Sequence, residues 1–527
     1  MNAFIFALRS DKAIDEYLNT EEPIPDDNDF IPDIHPSSVP VDSRTHQLLN
    51  ASYSEEKDQK NIVQNPQEEN IDNLPLNGPI LPENEELTKR RSFINKLFGP
   101  MEAGSIRGSI FNLVILSLGS GCLSLPKYIG ETSLGMALLL VVAIGLLVWW
   151  GLNLISKACY KHQIFIYSNL VKKLYGKYLA IFYEVNVILY CIGVLILYQV
   201  IIYKLVGEAI YNLFYYDKFI DDEDFIKNSF WAAWYIKDVF PYAIGILIIF
   251  PLCLIEDVSK LRIFSLFGVI TLLSIIGLLI FECPSYVRFY YENIYKESDS
   301  TTHLNFFDIK KGFGSTLSFF QFSSSLFYSF ITTIGAVPIF KSMKNNVLRR
   351  MQKVVRRTVL FDIILFTTIS VIGYLTWPIN TPSLIIERKK IVKNADIPMS
   401  IGRIALVLTI IMKLPSNYNS LRLTLFNIFW GTTTITTKKN ILVTLVVLIF
   451  CCTVSIVYSE ISGYIKLIGG ICSAIVGFLI PALLYTRTNK YAKWHWKNIM
   501  TQGVFLVFTL IGFVSAGRTI YEIITGH

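Results

Sequence analysis

The chain has 527 residues and a formal net charge of +7; 52% of its residues are hydrophobic and only 17% are charged. Soluble domains carry about 25% charged residues, so this composition argues against a soluble globular protein. The basic residues lie between long apolar runs, as membrane topology would place them, so the positive charge does not indicate nucleic-acid binding.

Residues 1–104 are predicted to form a disordered cytoplasmic tail, separate from a transmembrane domain at 105–527. The tail is rich in Glu, Asp, Asn, Pro and Ser, and it contains acidic runs around Glu22 and Asp26. Such a segment cannot bury enough apolar area to offset its chain entropy.

Eleven apolar runs follow, most of them near the ~20 residues that a helix needs to cross the hydrocarbon. We expect helices 1–5 within 106–282, helices 6–10 within 313–485, and helix 11 at 501–520. The individual spans are predicted at 106–130, 134–156, 179–206, 239–255, 263–282, 313–340, 358–377, 400–421, 441–457, 463–485 and 501–520.

The loops predict that the N-terminus lies in the cytoplasm. Alternate loops are basic, as at Lys172, Lys173 and the 341–357 segment, whereas the loop at 210–238 is acidic. This matches the positive-inside rule. The loop at 378–397 fits poorly, because it carries Arg388, Lys389 and Lys390 on the side predicted to be external.

Two spans contain helix-breaking clusters. The first has Gly119 and Gly121 around a serine, followed by Pro126, and the second has Gly335 followed by Pro338. Glycine weakens a helix, and unpaired backbone at membrane depth is tolerated only where it lines an enclosed cavity. For either cluster alone, close helix packing through small residues is the simpler interpretation.

Taken together, the clusters favour a transporter. Each lies in the first span of a five-span set, which is the pattern of an inverted repeat with discontinuous helices at a substrate site. The predicted fold is therefore all-α, with about eleven transmembrane helices in a 5+5 inverted repeat of the LeuT/amino acid permease type. A half-helix beginning near Gly121 offers amides to a carboxylate, and carbonyls near Ser117, Leu118, Thr332 and Thr333 can accept from an ammonium. These ends suit an amino acid zwitterion.

Several segments of the chain match a known family pattern, beginning with Gly108–Val114 and Gly119–Pro126 in the first span and Phe250–Leu254 with Leu261 and Ser265. The match continues through Val337–Asn345, Arg349–Val355, Gly373–Thr376 and Leu479–Leu483, in order, over roughly 105–520. In these segments the chain resembles the amino acid/auxin permease family. The resemblance implies secondary amino acid transport driven by a proton or sodium gradient, without a cofactor.

The chain departs from this family at Ile115, where sodium-coupled members tend to have Asn. An Ile side chain cannot coordinate sodium, although the Thr409 hydroxyl could contribute. The resemblance therefore favours proton coupling or facilitated transport. The Asn-, Ile-, Lys- and Tyr-rich composition also resembles apicomplexan members of vacuolar membranes, so a vacuolar, lysosome-like or plasma membrane is expected.

The predicted substrate-binding residues are Ser117, Leu118, Gly119, Ser120, Gly121, Cys122, Tyr190, Tyr198, Phe330, Thr332 and Thr333. Charged residues within a membrane span are candidate functional groups. Glu184 and Thr409 are weak candidates for a coupling-ion site. Asp362 and Lys413 are predicted to lie near the cytoplasmic ends of their spans and to reach the interface. No carboxylate is therefore assigned to mid-membrane beside the breaks.

Two other functional classes remain as alternatives. A membrane enzyme would need a general base or metal ligand, but the six His residues lie singly in the tail, the loops or at the terminus. The cysteines show no metal-ligand spacing, so no metal site is predicted. An amino acid sensor that signals through the tail would keep the transporter fold. The expected partners are an amino acid and the lipid bilayer, without nucleic acid or an obligate protein partner.

Overall fold

A computed structural model describes residues 104–214, 243, 245–254, 262–290, 316–344, 346–378, 381–388, 397–430, 437–489 and 495–525. Residues 96–527 form one compact unit. The predicted disordered tail, except for Gly104, lies outside the described residues.

The first five-span set begins with a broken helix. Helix α1 spans Ile106–Ser117 and α2 spans Ser120–Glu131, and the pair is bent by 52°. Helix α3 follows at Leu134–His162, α4 at Tyr167–Tyr175 and α5 at Lys177–Phe214. A π-helical turn at Gly245–Ile249 leads into α6 at Phe250–Cys253, and α7 spans Arg262–Tyr290.

The second set repeats this order. Helix α8 spans Thr316–Ser329, α9 spans Thr333–Ser342 and α10 spans Leu348–Thr376. A short 3-10 turn at Ile385–Glu387 precedes α11 at Ile397–Trp430 and α12 at Thr437–Val457. The tenth span starts as α13 at Ile461–Leu467, continues through π-helical turns at Ile468–Ser473 and Ile475–Leu479, and ends as α14 at Ile480–Thr488. Helix α15 spans Trp496–Thr525.

Within the described residues, nine helices are long and apolar enough to cross a membrane, or ten if the bent pair α1 and α2 is one span. This confirms a multi-pass helical membrane protein. The predicted fourth span at 239–255 is described at 243 and 245–254, so its first four residues, with 244 and 255, lie outside the described residues.

Helices that correspond in the two sets pack against each other. Helix α5 lies along α11, α3 lies along α10, and α2 contacts α8. The counterparts in a 5+5 repeat are thus spans 3 and 8, 2 and 7, and 1 and 6. Helix α2 begins at the first break and α8 ends at the second, so the contact between them places the interrupted backbone between the two repeats.

Several helices extend beyond the predicted apolar runs, α10 and α11 by the most at one end. Helix α10 starts at Leu348, ten residues before the predicted 358, and α11 continues to Trp430, nine residues beyond the predicted 421. The extensions carry Arg349, Arg350 and Arg422, whose charges had masked them in the hydropathy pattern. Asp362 and Lys413 therefore lie near the middles of their helices, and the prediction that they reach the interface is wrong.

Candidate functional site

The first break exposes a row of backbone amides. Leu118 and Gly119 connect α1 to α2, and Gly119 is fully extended and provides no side-chain cap for α2. The first amides of a helix lack intrahelical acceptors and attract negative charge. The amides of Ser120, Gly121 and Cys122 are therefore available to a carboxylate, with the helix starting one residue earlier than predicted.

The second break exposes carbonyl oxygens. Phe330 and Ile331 follow the end of α8, and their amides donate to the carbonyls of Leu326 and Tyr328. Among the described residues, no hydrogen bond reaches the carbonyl oxygens of Phe327 or Ser329 at the end of α8. These oxygens carry the negative end of the helix dipole and can accept from an ammonium group.

Thr332 and Thr333 lie at the start of α9 beyond this break. Both are buried, and Thr332 caps α9 without a side-chain hydrogen bond. The Thr332 hydroxyl has no hydrogen-bond partner among the described residues. A buried hydroxyl without a partner is uncommon, so this group is available to a bound molecule.

Small residues bring the two broken spans together. A Cβ added to Gly121 would lie 2.7 Å from Ser329 Oγ and 2.8 Å from Tyr328 Cδ1, and one added to Gly335 would overlap Leu116. The Ser120 and Tyr328 hydroxyls lie 3.3 Å apart. The small-residue packing interpretation therefore holds at Gly121 and Gly335, in addition to the interruption of the helices.

The two tyrosines predicted for the site do lie beside the first break. A Cβ added to Gly119 would be 3.8 Å from the Tyr198 hydroxyl, so there is room at this position. Tyr190 lies near Tyr198 and Tyr328. Cys122 donates to the carbonyl of Gly119 at 3.0 Å, across the first turn of α2.

Phe330 packs away from these groups. Its ring meets Phe366 of α10 edge-on, with centroids 4.7 Å apart, and its tip lies 3.4 Å from a Cβ placed on Gly145 of α3. The side chain is thus wedged between α3 and α10. The role assigned to it at the substrate remains a prediction, and the contacts favour a packing role.

Lys413 is a functional candidate that hydropathy misplaced. Its ammonium group donates to the carbonyl of Ile115 at 3.1 Å and also to that of Leu118, both at the end of α1. The break frees these carbonyls, and a cation from α11 binds them. Leu118, predicted to accept from a substrate ammonium, therefore already has a cationic partner.

Asp362 is the second misplaced candidate. It is 1% exposed, and the hydroxyl of Ser117 lies 2.8 Å from its Oδ1. A carboxyl group therefore does lie beside the first break, contrary to the sequence-based expectation. The earlier start of α10 was the signal that could have placed it there, because it moves Asp362 to the fifteenth of 29 helical residues.

The two weak coupling-site candidates occupy different places. Glu184 is buried and accepts hydrogen bonds from Asn427 at 2.8 Å and from Ser168. Asn427 lies near the end of α11, whereas the 3-10 turn lies before the start of that helix. Thr409 donates to its own helix at Ala405, 2.9 Å away, and its methyl group faces Gly268 of α7. Of the two, only Thr409 lies one turn from Lys413.

An ion pair accounts for one of the three poorly fitting loop charges, Arg388, whereas Lys389 and Lys390 lie outside the described residues. Arg388 is 1% exposed, is paired with Glu282 of α7, and lies 3.9 Å over the ring of Tyr286. Arg403 donates to the carbonyl of Ile386 at 2.9 Å and to that of Arg388 at 3.0 Å. Because Arg388 is paired and buried, it does not act as a free loop charge in the positive-inside comparison.

A polar network lies at the same side of the molecule. Lys127 of α2 donates to Ser462 at 3.2 Å, and Ser462 donates to Glu460. Burial alone would raise the pKa of Glu460, but hydrogen bonds from Ser462 and Tyr458, with the charges of Lys127 and Lys466, lower it. The network links α2, the second half of the first span, to the start of the tenth span.

Residues 102–525 match the family model described as "Transmembrane amino acid transporter protein". The chain is 23% identical to "Putative amino acid transporter AAT1" of Plasmodium berghei, over 84% of this chain and 74% of that protein. It is 22% identical to "Sodium-coupled neutral amino acid symporter 2" of Danio rerio, over 77% of this chain and 79% of that protein.

The fold has a counterpart among solved structures. The crystal structure of MhsT in complex with L-phenylalanine matches with a TM-score of 0.50 at 13% identity, covering 79% of this chain and all of that one. At this identity the match bears on the fold alone, and it supports the LeuT-like arrangement.

Proposed function

The chain belongs to the transmembrane amino acid transporter family, and we propose a substrate-binding site, a coupling ion and a membrane for it. Its motifs resemble those of the amino acid/auxin permeases. The protein is a secondary transporter of amino acids in a membrane, not an enzyme.

The substrate lies between the two breaks. Its carboxylate accepts from the amides of Ser120, Gly121 and Cys122, and its ammonium donates to the carbonyls of Phe327 and Ser329. The Thr332 hydroxyl, which has no hydrogen-bond partner among the described residues, can also contact the substrate. Tyr190, Tyr198 and Tyr328 supply an uncharged surrounding for the substrate side chain, so we expect uncharged amino acids.

The Lys413 ammonium takes the position of a coupling cation. Carbonyls freed by a broken helix coordinate sodium or another cation in transporters of this architecture. Here the carbonyls of Ile115 and Leu118 already hold a covalently attached cation. This contact is the observation that carries the proposal, and it supports transport that needs no sodium.

Alternating access requires contacts at the two ends of the broken spans to open in turn. At one end, the Lys344 amide donates to the Gly104 carbonyl at 3.0 Å and joins the start of α1 to the end of α9. At the other end, the rings of Tyr128 and Phe322 stack at 5.7 Å. The first end is cytoplasmic in the proposed orientation, with the N-terminus inside a vacuolar, lysosome-like or plasma membrane.

Uptake by reconstituted proteoliposomes tests this function. Each of the twenty amino acids is offered as radiolabelled substrate, first in exchange and then as net uptake, in sodium and in choline buffers. We expect exchange of uncharged amino acids at equal rates in both buffers. Transport that requires sodium would overturn the role of Lys413, and the lack of exchange for every amino acid would overturn the proposed substrate site.

A further inference from the structure

The Ser117 hydroxyl has two acceptors but a single hydrogen. Its Oγ lies 2.7 Å from the carbonyl oxygen of Val114 and 2.8 Å from Asp362 Oδ1. A hydroxyl donates one hydrogen bond and can accept others. An ionised Asp362 can only accept, so it takes the Ser117 hydrogen, and the Val114 carbonyl then loses its bond to the hydroxyl.

A protonated Asp362 gives the other arrangement. Its carboxyl hydrogen donates to Ser117 Oγ, and the Ser117 hydrogen is then free to donate to the Val114 carbonyl. All three groups are satisfied in this chain of bonds. In both arrangements the Leu118 amide also donates to the Val114 carbonyl at 2.9 Å, so the protonation state of Asp362 decides whether the Ser117 hydroxyl adds a second hydrogen bond to that carbonyl.

We propose that Asp362 is the proton-binding group of the transport cycle and that Ser117 passes its protonation state to the first break. This inference rests on the proposed transport function and names its coupling ion. The carboxylate takes up one proton from one side of the membrane, and the same proton leaves to the other side after the substrate has moved.

The surroundings isolate this carboxyl group. Lys413 of α11 holds carbonyls at the same end of α1, and Cys122 of α2 is the other titratable group there. On its own helix, Arg356 and Arg357 lie five to six residues away, and Arg357 is exposed. Other charged groups on the described helices around it are Arg107 on α1, ten residues before Ser117, Lys127 on α2, eight residues after Gly119, Lys157 on α3 and Glu282 on α7.

Lys413 and Asp362 thus have separate tasks. The ammonium binds the carbonyls of Ile115 and Leu118, whereas the carboxyl group binds the Ser117 hydroxyl. These contacts fall within four consecutive residues at the end of α1. Losing or gaining a proton at Asp362 therefore changes the hydrogen bonding of the Ser117 side chain next to the carbonyls that the cation holds.

The test compares full-length wild type, Asp362→Asn, Ser117→Ala and Thr368→Ala in sodium-free proteoliposomes. The probe is the amino acid that wild type exchanges fastest among the twenty. Thr368→Ala is the matched control, because its hydroxyl donates to Ile364 of the same helix and faces away from the break. A gradient of about two pH units sets a limit of about 100-fold accumulation for one proton per substrate.

We expect wild type and Thr368→Ala to accumulate substrate at least about tenfold under this gradient. Asp362→Asn is expected to show no accumulation and no pH response, with slowed but measurable exchange, because exchange needs no net proton movement. Ser117→Ala keeps the carboxyl group but loses its partner, so the pH of half-maximal uptake is expected to shift by about one unit.

Accumulation by Asp362→Asn equal to wild type would overturn the proposal. If that variant does not reconstitute, Ser117→Ala decides, and a pH profile identical to that of Thr368→Ala overturns it. Wild type that exchanges the amino acid but does not accumulate it under the pH gradient removes the proton site and leaves the transporter in place. An absence of wild-type exchange, by contrast, removes the proposed function itself.

Discussion

The ammonium group of Lys413 lies 3.1 Å from the carbonyl oxygen of Ile115, although 298 positions separate the two residues along the chain. A helix that breaks inside a membrane leaves carbonyls that water cannot reach. A lysine from α11 satisfies them here. The interruption of the first span is thus stabilised by a residue of the opposite repeat.

Removing this cation should abolish transport. In Lys413→Ala, the Ile115 and Leu118 carbonyls lose their donor, and an unpaired buried acceptor costs about 1–3 kcal/mol. We expect at least a roughly tenfold loss of exchange, measured in proteoliposomes. Lys438→Ala serves as the control, because Lys438 is exposed on α12. Wild-type exchange by Lys413→Ala would refute the role of the ammonium.

Gly119 and Gly121 should respond differently to a methyl group. At Gly121 the added Cβ would lie within 2.8 Å of two α8 side chains, whereas at Gly119 its nearest neighbour is 3.8 Å away. Overpacking costs about 1–3 kcal/mol. We expect Gly121→Ala to lower the melting temperature, and Gly119→Ala to keep it while raising the KM. Equal melting temperatures for the two variants would contradict this assignment.

Gly104 should control the contact between the start of α1 and the end of α9. It has φ +73°, and a Cβ there would lie 2.6 Å from both the Lys344 nitrogen and the Ser342 oxygen. Gly104→Ala is expected to separate α1 from α9 and to increase the rate at which Cys122 is alkylated. Mass spectrometry measures this rate.

The matched control for this change is Gly176→Ala. Gly176 also has a positive φ, of +90°, but an added Cβ would meet nothing within 4 Å. Both variants carry the same kind of backbone strain, and only one removes the contact between helices. Faster alkylation in both, or in neither, would show that the Gly104 contact does not restrict access to Cys122.

The Arg388–Glu282 pair should stabilise the loop before α11. Its side chains are 0% and 16% exposed, and removing one partner of a buried pair costs up to about 3–5 kcal/mol. We expect Glu282→Gln to lower the melting temperature in detergent. Glu282→Gln combined with Arg388→Gln should recover part of the loss, since no charge is then left unpaired. A double variant less stable than the sum of the single changes would argue against this pairing.

The Glu460 network should depend on pH in a defined direction. The lowered pKa of Glu460 means that its contribution to stability is present above the ordinary carboxyl value of about 4.3 and is lost as the pH falls through the folded-state value. We expect Glu460→Gln to melt below wild type at about pH 7 and to match it at about pH 3. A difference that persists at the lower pH would exclude this cause.

Most of the transmembrane architecture could be predicted from local sequence. A run of about 20 apolar residues is long enough to cross the hydrocarbon, and Gly or Pro clusters weaken a helix locally. The breaks after Ser117 and before Thr333, and the neighbouring Tyr198, were found in this way. The bounds of α10 and α11 were not, because helices continue through charged segments that a hydropathy pattern excludes.

The sequence by itself determined that the chain spans a membrane many times, and it predicted two broken spans whose ends would suit a zwitterion. Only the tertiary structure placed Asp362 against Ser117, and Lys413 against Ile115 and Leu118. The physical reason is that hydropathy and helix breaking depend on neighbouring residues along the chain, whereas the partner of a buried charge depends on which distant helices pack side by side.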